Sequence, residues 1–119
     1  MLEDVLSETI ATQSAQAGVA KYRELREKYY GGFVFDFGEN VLLRLAQQLQ
    51  AGGKSEEALA MLKLNAEFYP DSWMTFLQLA ELYSTKGEKT AAIERYKKTL
   101  SLNPENGRAK KMLEELMKE

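Results

Sequence analysis

The side chains that most often carry catalysis are scarce in this sequence. It has no His and no Cys, so the commonest general base, the thiolate nucleophile and any disulfide are excluded. Its six serines, Ser7, Ser14, Ser55, Ser72, Ser84 and Ser101, have no Lys three residues on, and none lies in a Gly-x-Ser-x-Gly elbow. Gly53-Lys54-Ser55 ends like a phosphate-binding loop, but the first Gly of that motif would stand at position 48, which is Gln48. The triplet reads as a turn and helix cap between two helical stretches. The acidic pairs Glu56-Glu57 and Glu114-Glu115 have neither the spacing of a calcium loop nor the His partners of a zinc set, and read as solvated helix faces. Lys21 to Tyr30 mixes basic and aromatic residues as single-strand nucleic-acid binders do. Glu24 and Glu27 dilute its charge, however, and Tyr22, Leu25 and Tyr29 share one helical face, which favours core packing. The expectation is a protein that is not an enzyme, with no catalytic, metal-binding or cofactor-binding residues.

Composition leads to the same class. With 45% hydrophobic and 29% charged residues in 119, the chain is built to fold throughout as one domain. Its net charge of -2 comes from 16 basic and 18 acidic residues that are interleaved, which implies neither a nucleic-acid nor a membrane-surface partner. The N-terminal MLEDVLSETIATQSAQAG contains no signal-like apolar run, and no later stretch is long enough to span a bilayer. A soluble, unprocessed chain is expected.

The elements that position these residues follow from an internal repeat. Pro70 and Pro104 are 34 residues apart, and in that register Leu42, Leu45, Ala46, Leu49, Ala58 and Leu62 meet Phe76, Leu79, Ala80, Tyr83, Ala92 and Tyr96. Apolar residues three and four apart define one face of a first helix, an Ala opens the face of a second, and Pro ends each unit because it cannot continue a helix. Ala46 with Ala58, and Ala80 with Ala92, permit close crossing of the two helices. Gly53 and Gly87 stand between them, where positive φ ends the first helix. Ser55 is expected to cap the second helix of the first unit, with Glu56 and Glu57 favourable to its dipole. Leu2, Val5, Leu6, Tyr22 and Leu25 fit the same register if six residues are inserted after Tyr30, giving a degenerate hairpin over 1–30 and an aromatic loop over 31–38 that contains Phe33, Phe35 and Phe37. Asp36 and Glu39 form a possible capping box there. The repeats span 39–72 and 73–106, and 107–119, with Met112, Leu113, Leu116 and Met117 at helical spacing, reads as a solvating end helix.

This spacing and pattern resemble the tetratricopeptide repeat family over two full units and a final helix. The resemblance implies an all-α, right-handed solenoid of seven helices, about three hairpins and a cap. In that family the first helix of each hairpin lines a concave groove. The resemblance therefore assigns Asn40, Leu43, Arg44 and Gln47, then Met74, Leu77, Gln78 and Glu81, then Arg108 and Lys111 to a groove for a protein or an extended or helical peptide carrying acidic groups. Asn65 and Thr99 stand where the family usually has Ala. A carboxylate clamp for heat-shock chaperones is disfavoured, because Leu43 and Gln47 replace its Lys and Asn.

The run from Ala20 to Leu116, including KYRELREKYYGGFVFDFGEN, ALAMLKLNAEFYPDSW and AIERYKKTLSLNPEN, also looks like the helical repeat region after the catalytic domain of some bacterial serine hydrolases related to β-lactamases or esterases. That resemblance implies an accessory domain packing on or dimerising an attached hydrolase domain, in the cell envelope if exported. A free-standing chain would be cytoplasmic. Self-association through the end hairpins is a third expectation.

Overall fold

Gly53 and Gly87 adopt φ of 77° and 80°, and at each of them a helix turns back into the next. A computed structural model describes residues 2–30 and 37–118 and contains, among these, seven helices: α1 (Leu2–Thr12), α2 (Ala15–Tyr29), α3 (Glu39–Ala51), α4 (Ser55–Phe68), α5 (Trp73–Thr85), α6 (Lys89–Leu102) and α7 (Gly107–Lys118). The two repeat hairpins are those the 34-residue period predicts, and the count of seven is the one expected with a first hairpin and an end helix added. Residues 31–36 of the aromatic loop lie outside the described set. The chain divides into two compact units, Met1–Phe68 and Tyr69–Glu119.

In the first unit α1 packs on α2 and α3, α2 on α4, and α3 on α4. The predicted small residues Ala46 and Ala58 are both fully buried, beside Leu42, Leu45, Met61 and Leu62. Each such aliphatic side chain contributes roughly 1.5–3 kcal/mol by leaving water. The α1–α2 hairpin makes the close approach with glycine instead. A Cβ on Gly18 would stand 2.6 Å from Ile10 Cγ1, so any larger residue there must displace that side chain. With the six-residue insertion allowed, Gly18 occupies the register of Ala58 and Ala92, and Tyr22 that of Leu62 and Tyr96; all three of the latter are fully buried.

In the second unit α6 packs against both α5 and α7, around Leu79, Ala80, Ala92, Tyr96 and Ala109. Phe76 is half-buried, with the Lys98 ammonium 5.6 Å from its ring centre. Ser72 caps α5: its hydroxyl accepts from the Thr75 amide and lies 2.8 Å from the Thr75 hydroxyl.

Three local expectations change. Helix α4 starts at Ser55, and the Ala58 amide already donates to the Lys54 carbonyl, so Ser55 is the first helical residue and not the cap. Gly38 is the N-cap of α3, without a side-chain hydrogen bond. Glu39 is then the first helical residue, two positions before the third one that a capping box requires, and Asp36 lies outside the described residues. In helix α7, expected as a solvating end helix, Ala109 is the one buried residue, and the exposed positions include the apolar Met117, which is 61% exposed.

Candidate functional site

The ten residues assigned to a groove are distributed over α3, α5 and α7. On α3, Asn40, Arg44 and Gln47 are exposed, whereas Leu43 is 3% exposed. Leu43 is therefore a core residue and offers no surface. It lies on the helix that α1 packs against, next to the residue that ties the two helices together. That tie is Arg44, whose Nη2 donates to Glu3 Oε1 at 2.9 Å and whose Nε donates to Glu3 Oε2 at 3.3 Å.

The second unit repeats this motif, with the carboxylate again on the earlier helix and the guanidinium on the later one. On α5, Met74 is exposed and Leu77, Gln78 and Glu81 are half-buried; on α7, Arg108 and Lys111 are exposed. The Arg108 Nε donates to Glu81 Oε2, and that hydrogen bond raises the Arg108 pKa further above its already high ordinary value. Tyr96 lies behind this pair with its ring fully buried. Burial, then the Glu81 charge, push its phenol pKa up. Neither Tyr96 Oη nor the buried Gln78 Oε1 has a hydrogen-bond partner among the described residues.

Both guanidinium groups that the sequence offered to an acidic ligand are thus engaged by carboxylates of their own unit. What each first helix leaves free of charge is amide and apolar: Asn40 and Gln47 on α3, Met74, Leu77 and Gln78 on α5.

A second cluster in the first unit was legible only as the mixed basic and aromatic run from Lys21 to Tyr30. The Arg26 guanidinium lies between the Phe68 and Tyr30 rings, 4.3 and 4.4 Å from their centres, and donates to Tyr22 Oη and to the Phe37 carbonyl, each at 3.1 Å. Tyr22 meets Phe37 edge-on at 5.7 Å and Phe68 at 5.6 Å. Arg23 grips Glu67 through two hydrogen bonds, one of 2.8 Å, and these hold the Glu67 carboxyl below its ordinary pKa. Arg23, Arg26, Glu27, Tyr30 and Phe68 line an open pocket of about 600 Å³. The core-packing reading holds for Tyr22, which is fully buried, while Leu25 and Tyr29 are half-exposed. Sequence spacing had no means of showing that Phe68, on α4, closes over Arg26 on α2.

Among the described residues no group of acidic side chains could hold a metal ion, and no helix is long and apolar enough to cross a membrane.

Known structures resemble this arrangement of helix pairs. The type III secretion chaperone SycD of Yersinia enterocolitica, solved in complex with a peptide of the translocator YopD, superposes with a TM-score of 0.65 at 16% identity, over 98% of this chain and 89% of that one. The fold is of tetratricopeptide-repeat type. The MamA protein gives a TM-score of 0.62, also at 16% identity, over 98% of this chain and 66% of the other. No family model matches the sequence, and no curated protein matches it. At such identities the tetratricopeptide-type likeness concerns the fold, and the comparisons give no support to the serine-hydrolase resemblance.

Proposed function

We propose that the protein is a non-catalytic interaction module that binds a peptide or protein segment on the faces of its first helices. The observation that carries this reading is the make-up of those faces. Helices α3 and α5 bury Leu42, Leu45, Leu49, Leu79 and Tyr83, yet leave Asn40, Gln47 and Met74 open to solvent and Leu77 and Gln78 half-open. Amide groups that donate and accept beside apolar anchors suit a polypeptide, whose backbone is both donor and acceptor and whose apolar side chains need a seat. A fold shared with a chaperone solved with a translocator peptide supports the same class of ligand. Since Arg44 and Arg108 are already paired, we read the favoured ligand as an apolar segment with hydrogen-bonding flanks, in which acidic groups are secondary. The hydrolase-accessory reading is not retained, because no structural observation favours it.

The test is to select peptides from a random display library on the purified chain and map the best binder by amide chemical shifts. Perturbation of Met74, Leu77 and Gln78 on α5 is expected, and a binder of the first unit should perturb Asn40 and Gln47 on α3. The double variant Met74→Ala, Gln78→Ala, folded by circular dichroism, should weaken the selected peptide about tenfold or more, equivalent to roughly 1.4 kcal/mol. Unchanged affinity in that variant, with shifts confined to α2 and α4, would reject the proposed surface.

A further inference from the structure

Helix α7 carries a contact surface of its own. Its apolar residues Ala109, Met112, Leu113, Leu116 and Met117 fall on one stripe at three- and four-residue spacing, but the cover thins along the helix. Ala109 is fully buried, Met112, Leu113 and Leu116 are partly exposed, and Met117 is 61% exposed. Beside Met117, on the same flank, stand Lys110 and Glu114, both exposed and spaced so that Lys110, Leu113, Glu114 and Met117 follow the i, i+3, i+4, i+7 rule of a helix-packing seam.

The order of charge on this helix is unfavourable for a helix standing alone. Arg108, paired with Glu81, and Lys110 stand in the first turn and Lys111 follows it, where the helix dipole is positive and the helix has no acidic residue of its own. The pairs Lys110–Glu114 and Lys111–Glu115 have their cation on the N-terminal side, the weaker orientation. An antiparallel second copy brings the negative C-terminal end of its dipole beside these cations and adds pairing between helices. The seam is then self-complementary about a two-fold axis between Leu113 and Glu114: Lys110 of each helix lies along the Glu114–Met117 turn of the other, its stem over Met117 and its ammonium near Glu114. A parallel copy would instead oppose like charges.

We propose that this flank of α7 is the homodimer contact of the protein, formed by two copies of α7 packed antiparallel. One 12-residue helix pair buries less than a standard interface, so the dimer is weak and depends on concentration. This surface is distinct from the peptide-binding residues proposed above.

Sedimentation equilibrium from about 1 μM to about 1 mM tests it. The mass of the chain should rise from 13.5 kDa toward twice that value. Met117→Lys, at an exposed position, should leave thermal unfolding at low concentration unchanged and hold the mass at 13.5 kDa. Lys110→Glu and Glu114→Lys chains should each stay monomeric alone and associate when mixed, because the acidic flank of one then meets the basic flank of the other. A wild-type mass fixed at 13.5 kDa throughout, association that survives Met117→Lys, or a mixture that stays monomeric would each overturn the proposal.

Discussion

The α3–α4 and α5–α6 hairpins share a register and a turn but secure their ends by different chemistry. Ala46 and Ala58 in one, Ala80 and Ala92 in the other, are all fully buried, and Gly53 and Gly87 have nearly the same φ. Beyond these backbone-determining positions the hairpins diverge. Where α5 is capped by Ser72, the residue 34 places earlier is Gly38, which gives α3 no side-chain cap. Where α6 has Thr99, whose hydroxyl donates to the Arg95 carbonyl one turn back, α4 has Asn65, whose amide reaches across to the Glu39 carbonyl at the start of α3 at 3.0 Å. The first hairpin is closed by a bond between helices, the second by bonds within each helix. Steric positions are thus held in common, because helix crossing leaves few alternatives, whereas polar end groups need only be satisfied somehow.

The largest test of this contrast is at the buried position that the two share. Leu62→Ala should cost about 3 kcal/mol in urea unfolding through the cavity it leaves. Tyr96→Phe, at the same register, should fall within about 0.5 kcal/mol of zero, because it removes a buried hydroxyl that no described residue satisfies. A cost above about 2 kcal/mol for Tyr96→Phe would mean that its hydroxyl is bonded after all.

Next in size are the two residues that replace the usual Ala. Asn65→Ala is expected to cost about 2 kcal/mol, since it breaks a buried bond between helices. Thr99→Ala should cost under about 1 kcal/mol, because its hydroxyl bonds a carbonyl of its own helix. Equal losses in thermal or urea melts would erase the distinction drawn between the hairpins.

The caps come third. Ser72→Ala should destabilise by about 1 kcal/mol. Gly38→Ser should stabilise slightly, because the extended backbone at Gly38, with φ of -64° and ψ of 163°, already suits a capping hydroxyl. Opposite signs in parallel denaturation curves are the expected result.

The smallest effect belongs to the exposed Arg23–Glu67 pair, for which a double-mutant cycle should give about 0.5 kcal/mol. The hydrogen bonds from Arg23 hold the folded Glu67 carboxyl below its ordinary value of 4.5. Its contribution is therefore complete at neutral pH and is lost as pH falls through the lowered folded-state value. Glu67→Gln should flatten that part of the stability profile, and added salt should shrink the difference.

Much of the fold was legible before any coordinates. The Pro70–Pro104 period, the paired alanines and the two glycines each report a steric or dihedral requirement that a residue type meets locally, and the helices appear where those requirements place them. The degenerate first hairpin was legible too, although its register conceals that Gly18 takes the place of an alanine. The candidate site was legible by position more than by state. The family resemblance selected the exposed Asn40, Gln47 and Met74 together with Leu43, which is buried, because it gives the face of a helix but not what a neighbouring helix covers. It offered Arg44 and Arg108 as donors, and both prove to be held by carboxylates that are distant in sequence, Glu3 and Glu81.

The sequence by itself determined the all-helical class, the turns at Gly53 and Gly87, and the lack of thiol and imidazole chemistry. These depend on local dihedral preference, on periodicity and on composition. Tertiary structure alone decided that Phe68 and Tyr30 enclose Arg26, that Glu3 and Glu81 take the two arginines, and that Met117 is left in water. Each of these is a meeting, or a missed meeting, of residues far apart in the chain, and pairwise distance between such residues is a quantity that local spacing does not contain.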